Sequence, residues 1–414
     1  MSMSPILPQL YATSTLICIL LALLFILSHL NLKLDAFNSP IPLLNQFKNR
    51  KSLFSQSQST SLRLPQEISQ SQSILPIPSQ TYVISLPRRR DRFDDMEVLR
   101  ARLGLNRSQW TYFAAEDSNS SRVEEILAGV RLIRQDALKA NLKEVDKVQV
   151  EDNSTGTAAV TLPFKWPDAN RNTNSTQLSQ EFKPSSDETS SINFESESEL
   201  LTCATQNFTL IPYSPHLPAY KILSPSRIAC WHSHLSVIRR LVSESTQQTP
   251  DEAALILEDD VDMEVDIHAR LAAVWGLLPV DWDIVFLGHC WSNESYFPAL
   301  EPPASASSRS SPTPSPTPLN TLHPSHAPLC THAYALSPSG AQRLLHDLTY
   351  PPFAYSRAID HALAWLVQSK RLNAFSVVPS VVVQRKVGGS DVMKGKGSKW
   401  RERLTEGVLE ADGS

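Results

Sequence analysis

Residues 255–264 read LILEDDVDME, an apolar run suited to a buried strand that passes straight into a packed set of carboxylates. Like charges at neighbouring positions repel, so the cluster costs stability unless something positive sits among them or solvent screens it. Strand alternation points Glu258 and Asp260 to one side and Asp259 to the other; if the chain is already turning, Asp262 replaces one of them. The purpose of the cluster depends on where this strand lies in the fold, which the flanking patterns supply.

Upstream, SPSRIACWHSHLSVIRRLV (224–242) places Ile228, Trp231, Leu235, Ile238 and Val242 at three-four spacing, which predicts a helix with Ser224 or Ser226 at its cap. Before it, TYVISL (81–86) and WTYFAA (110–115) read as strands around a helix carrying Phe93, Met96, Leu99 and Leu103. Residues 122–139 repeat the helical pattern through Val123, Ile126, Leu127, Val130 and Ile133. Downstream come helical IHARLAAVWGLL (267–278), strands WDIVFLG (282–288) and THAYALS (331–337), helical SPSGAQRLL (337–345) with Pro338 in its first turn, and strand-like FSVVPSVVV (375–383). Strands alternating with helices predict an α/β domain over 81–400 with a mostly parallel sheet covered on both faces. Ligands of such sheets bind beyond the carboxyl ends of the strands, where Glu258, Asp259 and Asp260 stand. Two polar tracts, 141–200 and 301–328, read as mobile or glycan-covered insertions, and 401–414 as a C-terminal tail.

Composition bounds the partners. The chain has 414 residues, 41% of them hydrophobic, a formal charge of −4 and no basic stripe with interleaved aromatics, which excludes nucleic acid as an expected partner. Residues 10–32 carry no charge and are long enough for a membrane-spanning helix, with 1–9 as a short tail before it and Ser/Gln/Pro-rich 33–80 as a stalk after it. The run exceeds a signal-peptide core, lacks a charged leader and has no small-x-small cleavage site, so it reads as an uncleaved anchor rather than a removed signal. Lys33, Lys48, Arg50 and Lys51 beside the span argue for a cytoplasmic domain. Acceptor triplets at Asn106, Asn119, Asn153, Asn174, Asn207 and Asn293 argue for a luminal one, and Cys203, Cys230, Cys290 and Cys330 form an even set with room for two disulfides. The expected address is the lumenal face of the Golgi or endoplasmic reticulum membrane.

A strand-end acidic cluster suits a hard divalent cation, Mg²⁺ or Mn²⁺, which takes carboxylate oxygens and bridges to substrate phosphates. The motifs also carry a resemblance. LSPSRIACWHSHLSVIRR (223–240) resembles the G-E-x-G-C-x-x-S-H helix of glycosyltransferase family 25, which includes lipooligosaccharide and procollagen galactosyltransferases, and LILEDDV resembles its L-E-D-D motif. YVISLPRRRDRF (82–93), DWDIVFLG (281–288), AYALSPSGAQRLL (333–345) and AIDHAL (358–363) are similar, in order and spacing, to its remaining motifs. Arg227 stands where the family pattern has Glu and Ala229 where it has Gly. The resemblance implies a GT-A-like, Rossmann-like nucleotide-sugar domain that transfers a hexose, galactose or glucose, from a UDP-sugar to a glycan or glycoprotein hydroxyl. It further implies Glu258, Asp259 and Asp260 as metal ligands, Ser85, Leu86, Arg89, Arg92, Ser233 and His234 as donor-binding residues, and Asp360 as the base of an inverting transfer.

Each residue also has a plain structural reading. The acids serve as a solvated strand end, His234 as a hydrogen-bonded core histidine, Arg89 and Arg92 as surface charges in an RRRDR run, and Asp360 as a helix cap. His289 follows a strand and reaches toward the same crevice, whereas Cys230 and Cys290 read as structural. Two rival functions stand beside transfer: metal-dependent phosphoester hydrolysis, and a membrane-tethered protein whose chemistry has lapsed, the latter motivated by Arg227 and Ala229.

Overall fold

A computed structural model describes residues 80–145, 160–161, 166, 200–205, 208–245, 253–301, 320–385 and 403–409. In chain order these form β1 (Gln80–Ser85), α1 (Arg90–Arg102), β2 (Trp110–Ala114), α2 (Ser121–Val145), β3 (Val160–Thr161), β4 (Thr209–Leu210), α3 (Pro225–Ser245), β5 (Ala254–Glu258) and β6 (Val261–Met263). There follow α4 (Ile267–Trp275), β7 (Ile284–Cys290), β8 (Thr321–Pro324), β9 (Leu329–Leu336), α5 (Pro338–Thr349), α6 (Ile359–Gln368), β10 (Ala374–Val378) and β11 (Val382–Gln384).

Seven strands make one sheet in the order β2-β1-β5-β9-β7-β10-β8. Pairs β1–β2, β1–β5 and β7–β10 are parallel, while β5–β9, β7–β9 and β8–β10 are antiparallel. The sheet is therefore mixed rather than mostly parallel in its pairings. Five strands share one direction, and β9 enters between β5 and β7 against them. Periodicity reports which face a residue occupies and carries no direction, which is why this reversal is invisible in the sequence.

Alternation explains how both faces are buried. Tyr82, Ile84, Ile256, Phe286, Tyr334 and Leu336 pack on one side with the apolar stripe of α3, where Ile228, Trp231, Leu235 and Ile238 are buried as expected. Their strand neighbours Val83, Leu255, Leu257, Val285, Leu287 and Ala335 point to the other side, against Met96 and Leu99 of α1 and Leu271 and Val274 of α4. Ser337 caps α5 by accepting the Gly340 N–H at 3.0 Å, with Pro338 in the first turn. Gly340 is required there, because a Cβ would lie 2.1 Å from the Asp283 carbonyl oxygen.

Several boundaries differ from expectation. Helix α2 runs on to Val145, into the tract read as insertion, and Trp166 from the same tract stacks on Trp365 at 5.6 Å between ring centroids while Arg371 lies 4.0 Å over its ring. Strand β8 lies inside the second supposed insertion, paired with β10, and FSVVPSVVV divides at Pro379 into two strands of different sheets, β10 and β11. Residues 403–409 are no loose tail: Leu404 and Val408 are buried and Gly407 bridges to Glu264. Among the described residues one disulfide forms, Cys290–Cys330, and Cys203 and Cys230 are free thiols, so the second bridge for which the sequence has room does not form between them. The apolar run 10–32 and the stalk to residue 79 lie outside the described residues; among those described, no helix is long and apolar enough to cross a membrane.

Candidate active site

The acidic strand resolves into two groups. Strand β5 ends at Glu258, the chain turns through Asp259 and Asp260, and β6 continues in a second sheet paired with β11. Glu258 Oε1 accepts a hydrogen bond from Thr331 Oγ1 at 2.7 Å and lies 3.4 Å from His234 Nε2. Asp259, 5% exposed, accepts from Arg92 Nη1 at 2.7 Å, and the same nitrogen is 3.5 Å from Asp260. Gln384 Nε2 donates to both oxygens of Asp260, at 3.3 and 3.2 Å. The positive charge that the cluster needs is thus Arg92, delivered by the first turn of α1.

Asp262 does not join the group. Its Oδ1 accepts from the Met263 and Leu409 amides at 2.8 and 3.1 Å, while Glu264 accepts from the Thr405 and Glu406 amides at 2.8 and 3.0 Å and pairs with buried Arg270. These two acids fasten the 403–409 segment.

Electrostatics separate the crevice acids. Burial, then the nearby charge of Glu258, push Asp260 up to about 7 against the pull of Arg92. Burial also opposes the charge on Glu258, but the close approach of the His234 ring, with the Thr331 hydroxyl, holds it below the ordinary carboxylate value.

A partly open crevice lies over this strand end. Leu86, Arg88 and Arg92 form one wall, Glu116 and Ser118 a second, and Ala229, Cys230, Ser233 and His234 of α3 a third. Ser85 is buried behind the wall, its carbonyl accepting from the Ala115 amide at 2.9 Å. Arg89 forks onto Asp91 at 3.0 and 2.8 Å and does not line the crevice, whereas Arg88 does and pairs with Asp117. Ser233 Oγ donates to the Ala229 carbonyl and accepts from the Glu116 amide, both at 2.8 Å, so it ties the second wall to the third. His234 is buried with Nδ1 2.9 Å from the Tyr334 hydroxyl, combining the core role with a place in the crevice.

Arg227, off the family pattern, is buried and donates to the carbonyls of Ala219, at 2.8 Å, and Ile222, bracing the turn before α3. His289 is buried in β7 with Nε2 3.3 Å from the Val377 carbonyl, turned to β10 and away from the acids. Asp360 stands in the first turn of α6, but Ala358 holds the N-cap position, so the pure cap reading does not hold. Asp360 accepts from the His361 amide at 2.8 Å, and its other oxygen lies 3.5 Å from the Cys330 amide nitrogen. The next residue, Thr331, bonds Glu258, so the start of β9 links Asp360 to the acid cluster.

Of the expected residues, Leu86, Arg92, Ser233, His234, Glu258 and Asp259 line one crevice; Asp260, 3.5 Å from Arg92, and Asp360, beside the Cys330 amide, are not among its lining residues. Sequence reading missed Arg88, Glu116, Thr331, Gln384 and the inward face of Cys230. Only Cys230 left a legible signal, its one-turn spacing from His234. Hard oxygen donors suit a divalent cation, and Asp259 Oδ2 is buried with no hydrogen-bond partner, so the acids fit such an ion beside Arg92.

Acids and arginines gathered at the carboxyl ends of strands in a two-faced α/β sheet are the layout of a Rossmann-like domain with its ligand site at the strand ends. The sequence model of glycosyltransferase family 25 (LPS biosynthesis protein) matches residues 79–361, more than half of the chain, and the protein belongs to that family. No curated protein matches the chain.

Proposed function

We propose that the protein transfers a hexose, galactose or glucose, from a UDP-sugar to a hydroxyl of a glycan or glycoprotein, with inversion and with Mn²⁺ or Mg²⁺. The observation that carries this reading is the meeting of Arg92, Asp259 and Asp260 at the end of β5, with Asp360 held beside the start of β9, whose Thr331 bonds Glu258. Asp259 and Asp260, with Glu258 beside them, are the residues to hold the cation, which offsets the charge that develops as UDP leaves. Arg88 and Arg92 orient the diphosphate, and Ile84 and Leu86 offer an apolar wall to the nucleoside. Asp360 takes the proton of the acceptor hydroxyl as the new bond forms.

Trp291, Tyr296 and Phe297 are exposed on the loop that follows Cys290, which is tied through its disulfide to the strand start beside Asp360. Flat aromatic faces there suit a carbohydrate acceptor. The Arg227 and Ala229 departures do not argue for lapsed chemistry, since Arg227 serves the turn before α3 and Ala229 keeps a small side chain at the crevice wall.

We further propose a lumenal domain anchored in the Golgi or endoplasmic reticulum membrane by residues 10–32. In support, Asn106, Asn119 and Asn293 are exposed, and a disulfide forms in an oxidising compartment. Screening the full chain with UDP-hexoses and Mn²⁺ tests the activity: release of UDP is expected, and no release from any of them rejects it. An enzyme that removes N-glycans should increase the mobility of cell-derived protein; unchanged mobility with protease sensitivity in intact vesicles places the domain in the cytosol.

A further inference from the structure

Glu258 does not face the same partners as the two aspartates after it. Cys230 and His234 leave α3 on one face, a single turn apart, and β5 brings Glu258 to meet them. The Cys230 sulfur, a His234 ring nitrogen and a Glu258 oxygen all lie within 4.8 Å of one another. His234 Nε2 and Glu258 Oε1 are 3.4 Å apart. That is long for an N–H···O bond, whose range is about 2.7–3.2 Å. It is close to the edge of a tetrahedron whose metal–ligand bonds are about 2.0–2.1 Å.

Both first-row donors are held from behind. The Tyr334 hydroxyl, 2.9 Å from His234 Nδ1, fixes the ring with Nε2 toward Glu258, and Thr331 Oγ1 donates to Glu258 Oε1 at 2.7 Å. Ligating imidazoles and carboxylates are oriented by such outer partners. All three side chains line the crevice, so a cation among them keeps an open coordination position.

We infer that Cys230, His234 and Glu258 form a site for a thiophilic divalent cation of the zinc class, separate from the oxygen donors Asp259 and Asp260. Thiolate with imidazole selects such an ion over Mn²⁺ or Mg²⁺. Binding exchanges the Cys230 thiol proton, released to solvent, for the metal. Its ligands line the crevice proposed for the donor, so a zinc-class ion and the donor diphosphate would share one pocket, the one consequence that rests on the proposed function.

Cobalt(II) tests the site without reference to activity. The full chain is prepared with Cys18→Ser and Cys203→Ser, so that Cys230 is the sole thiol beside the Cys290–Cys330 disulfide. One Co²⁺ per chain should bind with an intense near-ultraviolet thiolate-to-cobalt band, displaced by equimolar Zn²⁺ and lost after Cys230→Ser. If that variant does not fold, alkylation of Cys230 in the folded parent makes the same comparison. No band in the parent, or a band that survives loss or alkylation of Cys230, overturns the inference. Asp260→Asn should keep the band, and its loss there assigns the ion to the aspartates instead. A parent that shows the band with Co²⁺ but, freed of Co²⁺ and given Mn²⁺, releases no UDP from any UDP-hexose rejects the transferase reading and leaves the metal site standing.

Discussion

Residues 258–260 and 262–264 hold five carboxylates of one short stretch, yet they meet opposite kinds of partner. Glu258, Asp259 and Asp260 face side chains: Thr331, His234, Arg92 and Gln384. Asp262 and Glu264 face backbone amides of a segment more than a hundred residues away. Side-chain partners can yield to a ligand, whereas backbone amides are fixed by the fold. The first group thus keeps an unpartnered oxygen on Asp259 and an Asp260 pushed up to about 7, and the second group has its oxygens committed to structure. Acidity alone does not mark a site; the mobility of what satisfies it does.

The comparison can be broken most directly at Asp360. Asp360→Asn should slow sugar transfer by about 10²–10⁴-fold, as expected for a lost general base, while UDP binding with Mn²⁺ stays within a few-fold. Near-normal transfer rejects the base role, and lost UDP binding makes Asp360 a donor-site residue. Asp260→Asn should lower divalent-dependent UDP release by about 10²–10³-fold, the size of one lost charge-stabilising contact. Turnover within a few-fold of wild type removes Asp260 from the cation site.

Asp262→Ala should do the reverse. It strands the Met263 and Leu409 amides and costs about 1–3 kcal/mol, with UDP release at 25 °C unmoved. A melting temperature equal to wild type contradicts the structural role, and a selective loss of turnover merges the two groups. The smallest effect is on melting of metal-free Asp260→Asn. The carboxyl rises from an ordinary 3.8 to about 7 in the folded chain, so folded protein binds the proton more tightly. Wild type loses stability as pH climbs through that window, and Asn escapes the loss. The variant's melting advantage should be near nil at pH 4 and greatest above pH 7; a constant offset across that range assigns the effect to something other than this titration.

Much of this was readable because local spacing dictates which face a residue takes. The stripe of α3, the helix carrying Met96 and Leu99, Pro338 in the first turn of α5 and the alternation of LILE all follow from period and from helix-start chemistry. What escaped is long-range. The direction of β9, the pairing of β8 with β10 and the docking of 403–409 on Asp262 and Glu264 join segments whose local patterns are silent about one another. The same division runs through the site. Arg92 was legible only as one charge in RRRDR, and it is distinguished from Arg89 by where α1 places it, since Arg89 turns to Asp91. Cys230 was read as structural because its third partner, Glu258, lies on another element.

The fastening of 403–409 also fixes an order of events during synthesis. Glu264 leaves the ribosome 142 residues ahead of the Glu406 amide that it accepts, and Asp262 leaves 147 residues ahead of Leu409. Through that interval the strand carries carboxylates whose final donors have not yet been made, and burying them early leaves charges without partners. A nascent chain arrested before residue 405 therefore holds Asp262 and Glu264 without the 405–409 amide donors they have in the finished fold.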